Sequence, residues 1–248
     1  MQNRRLGVTV LAVLRTATSS AADPAARESG MFRSGRGERP VLAITIYELK
    51  PRFQQLLRPL ARALANAGVT ANQVTLAATL ISIAVGAFVA WRAHWTWPFL
   101  LLPVWLFLRM AMNAIDGMLA REFGQQSPLG AYLNELSDVV SDAALYLPFA
   151  LLAPFGLASV GLVVLLSALS EMAGALGPMV GAPRRYDGPM GKSDRAFVFG
   201  ALGLYVGLGG TLPNAAYWIM PVLSVLIAVN IRNRVRRGVA EASKNVKP

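Results

Sequence analysis

Six apolar segments, separated by short polar or basic stretches, organise the chain from residue 73 onward: 73–91, 98–119, 129–153, 157–180, 196–208 and 215–231. A helix needs about 20 apolar residues to cross a bilayer, and the fifth segment is the shortest of the set. The pattern predicts an all-α polytopic integral membrane protein with about six transmembrane helices. Ahead of them, over 47–67, Phe53, Leu56, Leu57, Leu60 and Leu64 recur at i, i+3, i+4, i+7 and i+11, with Lys50, Arg52, Arg58 and Arg62 between them. That spacing predicts an amphipathic basic helix lying on the membrane surface. The alternative is an ordinary helix turned toward a core. Pro59 predicts a kink.

The organisation that follows is a disordered extension over 1–40, an amphipathic juxtamembrane helix over 41–72, a transmembrane domain over 73–238 and a basic tail over 239–248. Residues 1–40 are rich in Arg, Ser, Ala and Gly, a composition that does not build a core. Arg4 and Arg5 precede a short apolar run at 6–14, ended by Arg15 and followed by small residues at 19–22. This faintly resembles a signal peptide; the competing expectation is a true start at Met31. No internal repeat is visible.

Charge orients the segments. The formal net charge is +11, 54% of residues are hydrophobic and 15% are charged. Apolar runs between the basic clusters make a membrane a better partner than nucleic acid. Residues 33–62 carry seven Lys or Arg, 181–195 carry four and the stretch from Arg232 six, while the connections on the other side carry only Arg92. By the positive-inside rule both termini and the polar loops face the cytoplasm of a bacterial inner membrane. The chain has no cysteine and a single histidine, His94, which excludes disulfides, thiolate sites and His-rich metal sites. His94, beside Arg92 and Trp95, reads as an interfacial loop residue.

Costly polar groups then stand out within the second and third segments. Helical spacing puts Asn113 and Asp116 on one face, and Asn134, Asp138 and Asp142 on another. Two such faces opposed offer oxygen ligands to a divalent cation. The small residues Gly117, Ala120 and Gly130 permit close approach of a helix or a bulky ligand. Arg121 is either a bidentate phosphate donor or a snorkelling arginine. Arg109, one turn before Asn113, needs a partner, with Asp142 and Glu171 as the choices. Tyr132 and Tyr146 read as packing residues.

These residues resemble the signature of the CDP-alcohol phosphatidyltransferase family, Asp-x-x-Asp-Gly-x-x-Ala-Arg, a gap, then Gly-x-x-x-Asp-x-x-x-Asp. Here the run is Asn113-x-x-Asp116-Gly117-x-x-Ala120-Arg121, a gap of eight, then Gly130-x-x-x-Asn134-x-x-x-Asp138, so six of eight signature residues match. The stretch from Gly68 to Thr75 resembles the family's entry to its first span, with Ala71 in place of proline, and the likeness extends over about residues 45–235. The resemblance implies transfer of a phosphatidyl or phospho-alcohol group from a CDP-alcohol, usually CDP-diacylglycerol, to a hydroxyl acceptor, with release of CMP. It implies Mg or Mn held by Asp116, Asn113, Asn134 and Asp138, with Asp138 as the catalytic base. It further implies that Gly117, Ala120, Arg121, Gly130, Asn72 and Thr75 border the nucleotide and pyrophosphate. The basic residues Arg184, Arg185, Lys192 and Arg195 would meet a small, phosphorylated alcohol acceptor; headgroup attraction is their plainer reading. A homodimer is a family expectation.

Two positions depart from that signature. Asn113 and Asn134 stand where the family has aspartate, so four positions bring two formal negative charges instead of four. An amide oxygen still ligates a hard cation but adds no charge. Three readings follow: Glu135 or Asp142 supplies the missing charge; the site works with one metal; or the chain binds nucleotide or lipid without turnover. A small transporter lined by Arg109, Asp116, Asp138 and Glu171 is the alternative from another class. The absence of repeats and the placement of the polar cluster at one end of its helices argue against it.

Overall fold

The computed structural model describes residues 41–245, with side chains from Arg52 to Lys244. The expectations for residues 1–40, both the extension and the leader-like run, lie outside the described residues. Among the described residues there are seven α-helices: α1 (Val41–Asn66), α2 (Ala71–Trp91), α3 (Leu101–Glu122), α4 (Pro128–Tyr146), α5 (Leu157–Ala175), α6 (Lys192–Gly207) and α7 (Ile219–Asn245). Four short 3-10 segments join or extend them, and there is no strand among the described residues. From Ile44 onward the chain forms one unit.

Local chemistry sets the helix ends around the polar cluster. Gly68, at φ 76°, closes α1 while Gly68 N–H donates to Ala65 O (3.0 Å) and Val69 N–H to Leu64 O (2.9 Å). Glycine reaches this left-handed conformation without the steric cost a Cβ would add. Two residues on, Thr70 and Gln73 make a reciprocal capping box that opens α2. Ser127 caps α4 by accepting from Gly130 N–H at 2.9 Å, with Pro128 in the first turn, where its missing N–H costs nothing.

α2 packs on α3 and α4, α5 on α4 and α7, and α6 on α3. A Cβ on Gly86 would lie 2.0 Å from Ala144 O, so α2 and α4 meet at a crossing that only glycine permits. The core at the far end from the signature residues is aromatic. Tyr146 stacks on Phe199 at 3.9 Å, and Phe99 and Phe149 complete the cluster. α1 runs as one helix through Pro59. Its apolar positions divide. Leu57, Ala61 and Leu64 pack with Val74, Met118 and Leu119 of α2 and α3, while Leu56 and Leu60 face outward. Arg58 reaches Glu122 at the end of α3 through two bonds of 3.0 and 2.9 Å.

The distribution of polarity is that of a membrane protein. Leucine, isoleucine, valine and phenylalanine cover the outer faces, while Arg109, Asp116, Asp138, Asp142, Glu171, Arg195 and Arg234 are buried. Among the described residues four helical stretches are long and apolar enough to cross a membrane: Ala71–Trp91, Trp97–Glu122, Leu157–Ala175 and Asn214–Lys244. α4, with Glu135, Asp138 and Asp142, is too charged to qualify by composition alone, and α6, with 16 residues, is too short. Trp91, Trp95, Trp97, Tyr217 and Trp218 are exposed at one end of the bundle, with the Arg92 guanidinium 4.2 Å from the Trp91 ring. Such a belt marks a membrane–water interface. α7 continues without a break to Asn245, so residues 239–245 form its last turns.

Candidate active site

At the opposite end of the bundle from that belt, a cleft of about 960 Å³ is ringed by the N-termini of α2, α4 and α6 and by the C-terminal parts of α3 and α5. Helix N-termini present free N–H groups and partial positive charge, which favour an anion. All four signature positions, Asn113 and Asp116 from α3 and Asn134 and Asp138 from α4, line this cleft. So do Asn72, Thr75, Gly117, Ala120, Arg121, Gly130, Arg184 and Lys192.

The walls are held together by specific bonds. Thr75 Oγ1 donates to Asp116 Oδ2 at 2.8 Å, tying α2 to α3. Gln125 accepts from Ala71 N–H at 2.7 Å and donates to Val69 O at 3.3 Å, which docks the α3–α4 loop on the start of α2. Gly130 matters for closeness: a Cβ there would stand 2.8 Å from Asn72 Oδ1. At Gly117 the neighbour is Arg121, folded back along its own helix so that Nη2 would be 2.8 Å from a Cβ.

Along and beneath the cleft runs a chain of charges, most of them buried. Arg109 donates to Asp142 Oδ1 at 2.6 Å and to both the backbone oxygen and Oδ1 of Asp138, at 3.1 and 3.2 Å. Arg195 bridges Asp142 Oδ2 (3.1 Å) and Glu171 Oε1 (3.0 Å). Glu171 Oε2 also pairs with Arg184 (3.4 Å) and Arg234 (3.5 Å), and Arg184 reaches Glu135 at 2.8 Å. Buried charges persist when each has a partner of opposite sign. Asp138 Oδ1 takes, besides Arg109, a bond from Asn113 Nδ2 at 3.3 Å and an ion pair from Lys192.

The structure separates residues that the sequence grouped. Asp142 does not line the cleft, and arginines hold both its oxygens. Glu135 likewise lies off the lining, on Arg184. Arg195 is fully buried beneath the site, and Arg185 turns away to Asp187 (2.7 Å) and Glu241. Of the four cations of the 183–195 stretch, Arg184 and Lys192 face the cleft. Of Arg109's two candidate partners, Asp142 is the one bonded. Gln125, Tyr186, Asp194 and Arg234 also line the cleft and carried no sequence signal, since Arg234 looks like any cation of a basic tail.

The oxygen donors suit a hard divalent cation: two carboxylates and two carboxamides, with no sulfur and no imidazole. Among the described residues the Asn134 side chain has no hydrogen-bond partner, and Asp116 accepts from the Thr75 hydroxyl through Oδ2. Among the same residues, no three acidic or imidazole side chains gather into a cluster. The donor set fits a metal, with little charge to hold it.

A helical bundle clothed in apolar side chains, with a polar cleft at one end, defines an integral membrane protein. The CDP-alcohol phosphatidyltransferase profile matches residues 68–230. The chain is 45% identical over 198 residues to the inner membrane protein YnbA of Escherichia coli, covering 78% of this chain and 96% of that one. It is 30% identical over 224 residues to the phosphatidylinositol phosphate synthase of Streptomyces avermitilis, covering 84% and 90%. The crystal structure of Mycobacterium tuberculosis phosphatidylinositol phosphate synthase with CDP-DAG bound shares the fold, with a TM-score of 0.59 at 21% identity, covering 74% of this chain and 94% of that one. A second structure of that enzyme, in complex with manganese and citrate, gives a TM-score of 0.57 at 21% identity, covering 73% and 87%. The chain belongs to the CDP-alcohol phosphatidyltransferase family. It is an enzyme of that divalent-metal-dependent class, moving a phospho-alcohol group from a CDP-alcohol to a hydroxyl acceptor.

Proposed function

We propose that this enzyme transfers the phosphatidyl group of CDP-diacylglycerol to the hydroxyl of a small phosphorylated alcohol, with CMP leaving, at the cytoplasmic face of a bacterial inner membrane. The observation that carries this reading is the convergence of Asn113, Asp116, Asn134 and Asp138 on one cleft ringed by three helix N-termini. The structure bound to CDP-DAG shares this fold and supports the donor. Six membrane passages, with α4 and α6 as polar-ended spans, put the cleft on the same side as the basic clusters.

In the reaction the acceptor oxygen attacks the phosphorus that carries the lipid, a new P–O bond forms, and the P–O bond to CMP breaks. Asp138 takes the acceptor's proton. Arg109, bonded to both the backbone and the side chain of Asp138, holds that carboxylate in place. Asn72, Thr75, Gly117, Ala120, Arg121 and Gly130 border the nucleotide end of the cleft, and Gly130 lets the start of α4 close against Asn72. On the acceptor side Arg184 faces the cleft, and buried Nε atoms of Arg184 and Arg234 have no hydrogen-bond partner among the described residues. Mg or Mn, held by Asp116 with the amide oxygens of Asn113 and Asn134, would neutralise the pyrophosphate and stabilise departing CMP.

Purified protein in nanodiscs, given CDP-diacylglycerol, Mg or Mn and a panel of acceptors including glycerol 3-phosphate, inositol and inositol phosphate, should release CMP with at least one phosphorylated acceptor. Folded protein that releases none with any acceptor refutes the reading; CMP release with neutral acceptors alone refutes the acceptor class.

A further inference from the structure

The signature positions of the cleft are short of negative charge, and a lysine sits on half of what remains there; the other two acids of the lining are engaged, Glu171 by Arg184, Arg195 and Arg234 and Asp194 by the Gly191 N–H. Of its four signature side chains, Asp116 and Asp138 alone carry charge. Asp142 and Glu135 do not make up the deficit, because arginines hold them away from the lining. Asp138 Oδ1 already meets two cations, Arg109 and Lys192. A divalent ion set against Asp138 would face both at close range, and like charges so placed repel strongly where water is sparse. Asp116 differs: it accepts from the neutral hydroxyl of Thr75, and no cation is directly paired with it among the described residues.

Lys192 is placed to move. It opens α6 next to Gly191, and its side chain is 27% exposed within the cleft lining. Asp138, by contrast, keeps Arg109 and Asn113 as partners if Lys192 leaves. A pyrophosphate diester carries two negative charges, which one divalent ion and one ammonium more than balance.

Building on the transferase reading above, we infer that this enzyme binds its donor with a single divalent ion, held at Asp116, and that Lys192 supplies the second cationic contact to the pyrophosphate. Lys192 leaves Asp138 as the donor arrives, which also frees that carboxylate for the acceptor's proton. The asparagines at 113 and 134 and the lysine at 192 are then one adaptation: two charges are lost from the acidic set and a fixed cation takes over part of the metal's work.

The test is Mn titration of the purified protein in detergent, read by electron paramagnetic resonance with and without CDP-diacylglycerol, beside donor affinity by calorimetry. Wild type should hold one Mn per chain in both conditions, and the Asn113→Asp/Asn134→Asp double variant should hold a second. Lys192→Met should weaken CDP-diacylglycerol binding about tenfold at saturating Mn, with Lys192→Arg within about threefold of wild type. Two Mn per wild-type chain, or unchanged donor affinity in Lys192→Met, overturns the inference. Thermal unfolding in detergent verifies that the variants are folded, and the wild-type stoichiometry decides the matter without them. Donor bound together with two Mn sinks this inference alone; no donor binding and no CMP release sinks the transferase reading beneath it.

Discussion

Asp142 sits between Arg109 at 2.6 Å and Arg195 at 3.1 Å, with 4% of its surface exposed. Removing its charge leaves two guanidinium groups short of a counter-ion inside the bundle. Asp142→Asn should therefore cost roughly 3–5 kcal/mol, seen as a lower unfolding temperature in detergent, while the metal concentration needed for activity stays as in wild type. An altered metal requirement would show that Asp142 is a ligand after all. Asp138→Asn should do the reverse, abolishing CMP release in a protein that still folds, because Arg109 keeps its bonds to the Asp138 backbone and to Asp142. Activity retained in that variant refutes Asp138 as base. Arg58 and Glu122 form a better-looking pair on paper, yet their side chains are 44% and 39% exposed. Arg58→Ala should shift stability by no more than about 1 kcal/mol.

Among the elements, the α2–α4 crossing and the loop before α6 carry the site. Gly86→Val would drive side-chain atoms into the Ala144 carbonyl. It should lower both the unfolding temperature and CMP release, since α2 brings Thr75 to Asp116 and α4 brings Asp138. The loop is latched to α7. Asn230 donates to Pro189 O at 2.8 Å, Arg237 pairs with Asp187 at 2.6 Å, and Arg185 joins Asp187 to Glu241. Burial pushes the Asp187 carboxyl up, but hydrogen bonds from Arg185 and Arg237 outweigh it and hold the group below its ordinary range. A depressed carboxylate contributes its stability above the unfolded value, near about 3.9, and loses it as pH falls through the folded value. The latch is therefore closed at neutral pH. Asp187→Asn at pH 7 should speed proteolysis at Arg184 and Arg185, and unchanged cleavage would show that the latch does not restrain the loop.

For the whole molecule, the question is sidedness. A chain without cysteine is a clean background for labelling. Thr96→Cys, in the tryptophan-rich turn, should react with a membrane-impermeant maleimide from outside the cell, and Ser243→Cys, near the end of α7, only after permeabilisation. Labelling of both from the same side contradicts the proposed topology. At this scale much of the fold was legible: apolar runs marked the helices, and the amphipathic spacing over 47–67 marked α1. The polar faces were legible too, because helical geometry alone puts Asn113 with Asp116 and Asn134 with Asp138. Helix ends blurred where 3-10 turns extend α4 and where α6 begins at Lys192, inside what reads as a loop.

The sequence by itself determined a helical membrane protein, the family resemblance and the two facing sets of oxygen donors, since these depend on local period and composition. Only the tertiary structure decided who pairs with whom. It gave Asp142 to Arg109 and Arg195, turned Arg185 and Arg195 away from the cleft, brought Arg234 up from the last helix, and set Lys192 on Asp138. Those pairs join helices far apart in sequence, and the depth and rotation of each helix in the bundle select them.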